Sequence, residues 1–79
     1  MATLLLFGPA RSAAGIGRLV VEAATVAGLL EAASAQFGPA FAAVVARSAL
    51  WVNGTPADGA TALAPGDEVA VVPPVSGGS

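Results

Sequence analysis

The sequence has 79 residues, a formal net charge of −2, no Cys, no His and no Lys. That length allows one small domain and leaves no room for a second. Without Cys and His, a disulfide framework, a zinc ribbon, a Cys nucleophile and a Ser-His-Asp triad are all excluded. Three Arg residues give no basic surface for nucleic acid or an anionic membrane, so neither is an expected partner.

Apolar residues make up 56% of the chain, but 20 of them are Ala, which adds hydropathy with little core volume. The longest stretch without charge, residues 32–46, is 15 residues long and contains Pro39. A membrane-spanning helix needs about 20 apolar residues. No positively charged segment precedes the first apolar run, Leu4–Phe7, as a signal peptide requires. The sequence therefore predicts a soluble cytoplasmic protein.

The first half of the chain predicts two strands followed by a helix. Thr3–Phe7 is a short apolar run that Gly8-Pro9 ends with a turn, and residues 10–15 are expected to form a loop. Arg18–Glu22 has a β-branched centre typical of a second strand. Thr25 is placed to cap a helix through its hydroxyl. The buried face of that helix is predicted from the i, i+3, i+4, i+7 spacing to comprise Val26, Leu29, Leu30 and Ala33.

The following segment predicts a second helix and a third strand. Gly38 is expected to stop the first helix, and Pro39 to open a short second one with an apolar stripe of its own. Leu50–Val52 predicts a strand that ends in a tight turn at Asn53-Gly54. Residues 55–64 have no periodicity and are expected to form a loop.

The last strand, Glu68–Val72, is predicted between a turn at Pro65-Gly66 and Pro73-Pro74, which cannot donate to a ladder. The resulting β-β-α-β-β order predicts an α+β domain, with a mixed sheet and a helix across one face. The first and last strands are the most apolar, so we expect them side by side in the centre of the sheet. We assign residues 1–74 to this domain and residues 75–79 to a flexible tail.

Alternation along the strands divides their apolar side chains between two faces. One face points toward the helix and forms the core with it. This core is predicted to comprise Leu4, Leu6, Leu19, Val21, Val26, Leu29, Leu30, Leu50, Val52, Val69 and Val71. The opposite face is predicted to expose Leu5, Phe7, Trp51, Ala70 and Val72. An exposed apolar patch usually marks an interface, and aromatic residues often anchor one. The alternative is that Trp51 only covers a sheet edge or joins a mixed core.

Side chains that could form an active site or a metal site are missing from the sequence. Asp67 and Glu68 are neighbours that point to opposite faces of a strand, so we interpret them as a solvated turn and not as an acid–base pair. Arg11, beside the apolar patch, is a candidate to bind a carboxylate of a partner. Any chemistry is therefore expected at the backbone of the tail, where Gly77 and Gly78 can enter a channel too narrow for a Cβ.

Residues 67–78, DEVAVVPPVSGG, closely resemble the closing segment of the small subunit of molybdopterin synthase. That subunit is a ubiquitin-like sulfur carrier of the β-grasp fold, related to the thiamine sulfur carrier. Phe7, Arg11, Thr25 and Val52-Asn53 also fall where this family has counterparts. The resemblance implies a mixed sheet of about four to five strands, with a helix packed across one face.

The resemblance also implies how such a protein acts. An E1-like activating enzyme uses ATP to adenylate the carboxylate of Gly78, and a persulfide sulfur then replaces AMP to give a thiocarboxylate. The tail that carries this group into the large catalytic subunit of molybdopterin synthase comprises Pro73, Pro74, Val75, Ser76 and Gly77. The surface predicted to bind both partners comprises Phe7, Leu5, Trp51, Val72 and Arg11, of which Phe7 and Val72 match positions that the family uses for docking. The chain itself is expected to bind no cofactor and no metal, and to have no catalytic side chains of its own.

One residue departs from the family pattern, which ends at the second glycine, because Ser79 follows Gly78 here. Either Ser79 is removed by a protease, or it was added when the chain was made, or this member acts in another way. Two further interpretations stay open. The chain is a sulfur carrier for another pathway, such as cysteine or thiamine synthesis, or it is a ubiquitin-like binding module whose Gly-Gly tail is incidental.

Overall fold

The computed structural model describes residues 1–73, and within them the chain forms five strands and three helices. In chain order the elements are β1 (Ala2–Leu6), α1 (Gly8–Ala14), β2 (Arg18–Val21), α2 (Val26–Phe37), α3 (Pro39–Ala46), β3 (Ala49–Val52), β4 (Thr55–Ala57) and β5 (Glu68–Val72). The strands form one sheet in the order β2-β1-β5-β3-β4. The central pair, β1 and β5, is parallel and the other neighbours are antiparallel. The predicted mixed sheet, with the first and last strands at its centre, is confirmed.

The core lies between one face of the sheet and the helices. The sheet contributes to it the fully buried side chains of Leu4, Leu6, Val69 and Val71. The helices contribute the buried side chains of Ala10, Val26, Leu29, Ala33 and Phe41. The half-buried residues at its margin include Leu19, Val21, Leu30, Leu50 and Val52. The predicted core is therefore confirmed, with these last five residues at its edge and not at its centre.

Helix α2 begins and ends where the sequence predicts. The hydroxyl of Thr25 accepts a hydrogen bond of 3.1 Å from the backbone N–H of Gly28, which satisfies one of the orphan donors of the first turn. Gly38 ends the helix with φ +97°, a backbone conformation that favours glycine. Helix α3 follows at once, and the rings of Phe37 and Phe41 meet edge to face with centroids 5.1 Å apart.

The segment after β1 is a helix, so the turn and loop predicted for residues 8–15 are wrong. Pro9 lies in the first turn of α1, where a missing N–H removes no helical hydrogen bond. The helix ends at Gly15, which has φ +81°. Ala10 is fully buried, and α1 packs against α3 and β5. Strand β1 also ends one residue earlier than predicted, which makes Phe7 the N-cap of α1.

Residues 55–64 contain a fifth strand, β4, where the sequence predicted only a loop. Asn53 and Gly54, with φ +50° and +82°, form the predicted tight turn that brings β4 back along β3. Pro56 lies at the centre of this strand. It is tolerated because β4 is an edge of the sheet, where the N–H that Pro lacks has no ladder partner.

Candidate functional site

The face of the sheet away from the helices carries a row of three apolar side chains in neighbouring strands. Leu5 lies directly opposite Ala70 in the β1–β5 pair, and Ala70 lies directly opposite Trp51 in the β5–β3 pair. Directly opposed side chains contact one another, with Cβ atoms roughly 5 Å apart. All three are half-buried, because each is covered by its neighbours on the sheet and not by a helix. The alternative in which Trp51 joins a mixed core is thereby excluded.

Phe7 and Val72 extend this row at the end of the sheet where both central strands stop. Phe7 is 49% exposed and Val72 is 36% exposed. Leu6 pairs with Val71, so the residues that follow each of them are neighbours. Phe7 keeps an extended backbone, with φ −132° and ψ 152°, which continues the alternation of β1. The predicted strand parity is confirmed, and we call the set Leu5, Phe7, Trp51, Ala70 and Val72 the open-face patch.

The chain leaves the sheet beside the open-face patch. Strand β5 ends at Val72, and Pro73 packs against Gly8 at the start of α1. A Cβ added at Gly8 would lie 3.5 Å from Cγ of Pro73. The remaining tail residues predicted from the sequence lie outside the described residues: Pro74, Val75, Ser76, Gly77, Gly78 and the final Ser79. The exit of the chain is thus fixed next to Phe7, at the end of the sheet where α1 begins.

Arg11 lies at this same end of the sheet, on α1. Its backbone N–H donates to the carbonyl of Phe7 at 3.4 Å. Its side chain crosses Gly17, where an added Cβ would lie 3.2 Å from Nε of Arg11. Gly17 itself accepts a backbone hydrogen bond of 2.9 Å from Leu6. Gly17 lies opposite the core residue Leu6, so a Cβ at Gly17 points to the helix side of the sheet. The exposed Arg11 side chain therefore lies on that side, at the end of the sheet where β1 stops, and not beside the open-face patch as the sequence predicted.

The open face contains further residues that the sequence argument missed, among them Arg18, Pro56 and Val20. Arg18 continues the row beyond Leu5 on one side, and Pro56 continues it beyond Trp51 on the other. Val20, also in β2, is 51% exposed. The signal was available, since placing Leu19 and Val21 toward the core leaves Arg18 and Val20 on the opposite face.

A hydrogen-bonded cluster ties the start of β5 to the β3–β4 turn. Oδ2 of Asp67 accepts from the backbone N–H of Ala64 at 2.8 Å, and Oδ1 accepts from Nδ2 of Asn53 at 3.0 Å. The side-chain oxygen of Asn53 in turn accepts from the backbone N–H of Glu68 at 2.9 Å. The bond from Ala64, and then that from Asn53, hold the pKa of the Asp67 carboxyl below its ordinary value. Asp67 is thus engaged in a turn, which agrees with its interpretation from the sequence.

The rest of the described chain offers no second site. A shallow cleft of about 280 Å³ lies at the opposite end of the sheet, lined by Met1 and residues 22–24 and 63–65. Glu22 is the one titratable side chain among the residues that line it. Within residues 1–73, no cluster of His, Cys, Asp or Glu side chains could hold a metal ion. No helix in that part of the chain has the length and apolar character needed to cross a membrane.

Comparisons with known proteins agree with this geometry. The model of the ThiS family matches residues 4–78. Small archaeal modifier protein 1 from Haloferax volcanii is 33% identical, with a TM-score of 0.81 and 98% of each chain covered. A putative molybdopterin converting factor, subunit 1, from Pyrococcus furiosus is 27% identical, with a TM-score of 0.82 and coverage of 94% of this chain and 97% of that one. No curated protein matches the sequence.

A further solved structure shares the fold and contains a partner chain. It is the complex of subunits 1 and 2 of the molybdopterin-converting factor from Helicobacter pylori, with 23% identity, a TM-score of 0.72, and 98% of this chain and 97% of that chain covered. The sheet order, the helices on one face and these similarities define a ubiquitin-like domain of the β-grasp fold. The chain belongs to the ThiS family, a group of ubiquitin-like sulfur carriers.

Proposed function

We propose that this chain carries sulfur as a thiocarboxylate at Gly78 and donates it to the large subunit of molybdopterin synthase. The observation that carries the proposal is the open-face patch beside the point where the chain leaves β5. A carrier without catalytic side chains needs a surface that an enzyme can bind and a chain end that reaches the active site of that enzyme. The patch supplies the first, and the Gly-Gly sequence that follows Pro73 supplies the second.

The patch has the properties of a docking surface for a protein. Its central row is preformed, because Leu5, Ala70 and Trp51 are held in register by the backbone ladders of three strands. Phe7 projects from the end of that row and is 49% exposed, which leaves it free to enter a pocket of a partner. Arg11 adds an exposed cation on the helix side of the same end of the sheet, where a carboxylate of a partner that surrounds the exit would meet it.

The sulfur chemistry takes place on the backbone of the tail. In a chain that ends at Gly78, an E1-like enzyme transfers AMP from ATP to the terminal carboxylate, releasing pyrophosphate. AMP is a far better leaving group than hydroxide, so the outer sulfur of an enzyme persulfide can displace it at the acyl carbon, which gives an acyl disulfide. A second thiol of the sulfur-donating enzyme then attacks the inner sulfur of that bond, which releases the thiocarboxylate on Gly78 and leaves a disulfide on the enzyme. ATP is bound by the activating enzyme, and this chain binds no cofactor of its own. Gly77 and Gly78 carry no Cβ, which lets the sulfur-bearing end pass through a narrow channel.

A sulfur carrier for a different acceptor is the second candidate function. It is favoured by one observation, the higher identity to the archaeal modifier protein (33%) than to the molybdopterin converting factor subunit (27%). The ThiS family match is compatible with either acceptor. The patch and the activated carboxylate serve both functions equally, and only the partner that receives the sulfur differs.

The carrier chemistry is tested by intact mass after incubation with ATP, an activating enzyme and a sulfur source. A chain that ends at Gly78 should gain the mass of one sulfur-for-oxygen replacement. Two matched chains serve as controls. The chain with Ser79 should keep its mass, since its Gly78 carbonyl is an amide, and Gly78→Ala in the shortened chain should load much more slowly. If the shortened chain is folded and its mass does not change, the carrier proposal is wrong and the binding-module interpretation replaces it.

The choice of acceptor is tested by binding to purified large subunits. The chain ending at Gly78 should form a stable complex with the large subunit of molybdopterin synthase and support conversion of its substrate to molybdopterin. A loaded chain that forms no such complex, and transfers its sulfur in extracts to another acceptor, supports the second candidate.

A further inference from the structure

The two edges of the described sheet, β2 and β4, differ in how they are protected. Strand β4 is three residues long and has Pro56 at its centre, which makes it a poor template for another strand. Strand β2 contains no Pro, and its central Val20 is 51% exposed. Of the two edges, β2 is the one that can accept a further strand.

The pairing of β2 with β1 shows which of its backbone groups face outward. The N–H of Leu6 donates to the carbonyl of Gly17 at 2.9 Å, so this residue pair is hydrogen-bonded. Hydrogen-bonded and non-hydrogen-bonded pairs alternate along an antiparallel ladder. In the observed register, Leu5–Arg18 and Thr3–Val20 are therefore non-hydrogen-bonded pairs. The N–H and C=O groups of Arg18 and Val20 consequently point away from β1, toward the free edge.

The side chains along this edge also alternate. The side chains of Arg18, Val20 and Glu22 are exposed to solvent, and those of the residues between them are half-buried. Since β2 ends at Val21, the alternation continues one residue past the strand. All three exposed side chains therefore lie on the open face. A cation, an apolar residue and an anion follow one another at equal spacing, and Val20 is at the centre.

We propose that β2 is a dimerisation edge, at which two copies of this chain pair antiparallel about a two-fold axis at Val20. In that register, Val20 lies opposite Val20 of the second copy. Arg18 lies opposite Glu22 of the second copy, and symmetry repeats this ion pair on the other side of the axis. Each directly opposed pair of outward-facing residues exchanges two backbone hydrogen bonds. Opposite charges facing each other across strands stabilise the pairing, and like charges destabilise it.

The charges also select this register over its neighbours. Moving the second copy by two residues separates Arg18 from Glu22 and leaves one of them opposite Val20. Moving it by four residues brings Arg18 opposite Arg18, or Glu22 opposite Glu22. A shift of one residue turns the side chains to the wrong face. An arbitrary extended peptide has no such match, so a second copy is the partner that fits this edge.

The proposed dimer leaves the open-face patch accessible. With all three edge side chains on one face, the two-fold axis runs perpendicular to the sheet. The helices of both copies then lie on one side and both patches on the other. A dimer of this kind presents two docking surfaces in the same direction. Because only one short strand edge from each copy is buried, the interface belongs to the weak class, well below about 1,200 Å² in total.

The test is sedimentation equilibrium over protein concentrations from about 10 μM to about 1 mM, the range that detects weak association. The parent chain should show an average mass that rises toward that of a dimer. Arg18→Glu and Glu22→Arg should each weaken association about tenfold or more, since each replaces two attractive pairs with two repulsive ones. Arg47→Glu, at the end of α3, changes the net charge in the same direction and by the same amount as Arg18→Glu, and it should associate like the parent.

One mixture of the single variants and one double variant give the decisive result. An equimolar mixture of the Arg18→Glu and Glu22→Arg chains should associate, because every opposed pair in the mixed dimer is attractive. The Arg18→Glu/Glu22→Arg double variant should recover the association of the parent. Val20→Pro should abolish it while the fold persists by circular dichroism, since the lost N–H faces outward. A parent that stays monomeric at about 1 mM, or single variants that associate like the parent, would overturn the proposal.

Discussion

Both faces of the sheet carry large apolar side chains, but the two faces have opposite surroundings. Leu4 is fully buried beneath the helices, whereas Leu5, the next residue, is half-buried on the open face. In β5, Val71 is fully buried and Val72 is 36% exposed. Consecutive residues of one strand thus have different roles, since one set stabilises the fold and the other is available to a partner. Because apolar residues lie on both faces of these strands, the hydrophobicity of a residue does not show whether it belongs to the core or to the open face. Its position in the alternation of the strand does.

Substituting two neighbours in β1 should give the largest contrast between the faces. Leu4→Ala should lower the free energy of unfolding by about 2–5 kcal/mol, because it removes buried contacts and leaves a cavity. Leu5→Ala should lower it by about 1 kcal/mol or less, since its side chain is already partly in water. Urea denaturation of both variants at neutral pH measures the difference. Equal losses would mean that the open face is as tightly packed as the core.

Phe7 should show the reverse pattern, with a large effect on binding and a small one on stability. Phe7→Ser should weaken binding to the large subunit by about 2 kcal/mol or more, in the range of an interface anchor. Its melting temperature should change little, because the side chain is 49% exposed in the free protein. Titration calorimetry and thermal unfolding measure the two quantities on the same preparation.

Val20→Ser is the matched control for Phe7→Ser. Val20 is equally exposed on the same face, but it lies on the edge strand β2 and away from the point where the chain leaves the sheet. Binding of this variant at micromolar concentration should match the parent. If Val20→Ser weakens binding as much as Phe7→Ser does, the contact is spread over the whole face and is not centred at the exit.

The sequence predicted the elements that have strong periodicity or a specific terminal residue. Helix α2 has both an apolar stripe and the Thr25 cap, and its start is confirmed by the hydrogen bond to Gly28. The parity of β1 and β5 followed from alternation alone, so the open-face patch was predicted residue by residue. The parity of β2 would have added Arg18 and Val20 by the same argument.

The errors occur where small residues and chain breakers remove the signal. Helix α1 is seven residues long, begins with Gly8-Pro9 and buries only the Ala10 methyl group completely, so its sequence has no apolar period to detect. Ala2 is likewise buried, but the first strand was predicted to begin at Thr3, so the alternation was not extended to Ala2. Strand β4 is only three residues long, so residues 55–64 show no periodicity, and its Pro56 is accepted because the strand is an edge.

The cap of α2 should have a moderate effect that leaves both faces unchanged. Thr25→Ala removes the acceptor for the Gly28 N–H and should cost about 1 kcal/mol of stability. Thr25→Ser keeps the hydroxyl and should stay close to the parent. Both variants should bind the large subunit as the parent does, since α2 lies on the other side of the sheet. A loss of binding in Thr25→Ala would show that the helical side also contacts the partner.

The smallest expected effect is a pH dependence of stability that arises at Asp67. The hydrogen bonds from Ala64 and Asn53 lower the pKa of its carboxyl in the folded state, so the unfolded chain takes up a proton more readily there. The stability that these bonds contribute is therefore complete above the unfolded pKa, about 3.9. It is lost as the pH falls through the folded pKa.

Asp67→Asn tests this linkage, because the amide cannot ionise and has only one acceptor oxygen for two donors. The variant should be less stable than the parent at neutral pH. Between about pH 5 and pH 2, its free energy of unfolding should fall less steeply, since one group that binds a proton on unfolding is gone. Urea denaturation at several pH values measures both slopes. Identical slopes would mean that the Asp67 cluster forms in the unfolded chain as well, or that other carboxylates control the acid response. A shallower slope for the variant would show that the hydrogen bonds to Asp67 stabilise the folded domain. These bonds hold the start of β5, the strand that leads to the exit of the chain.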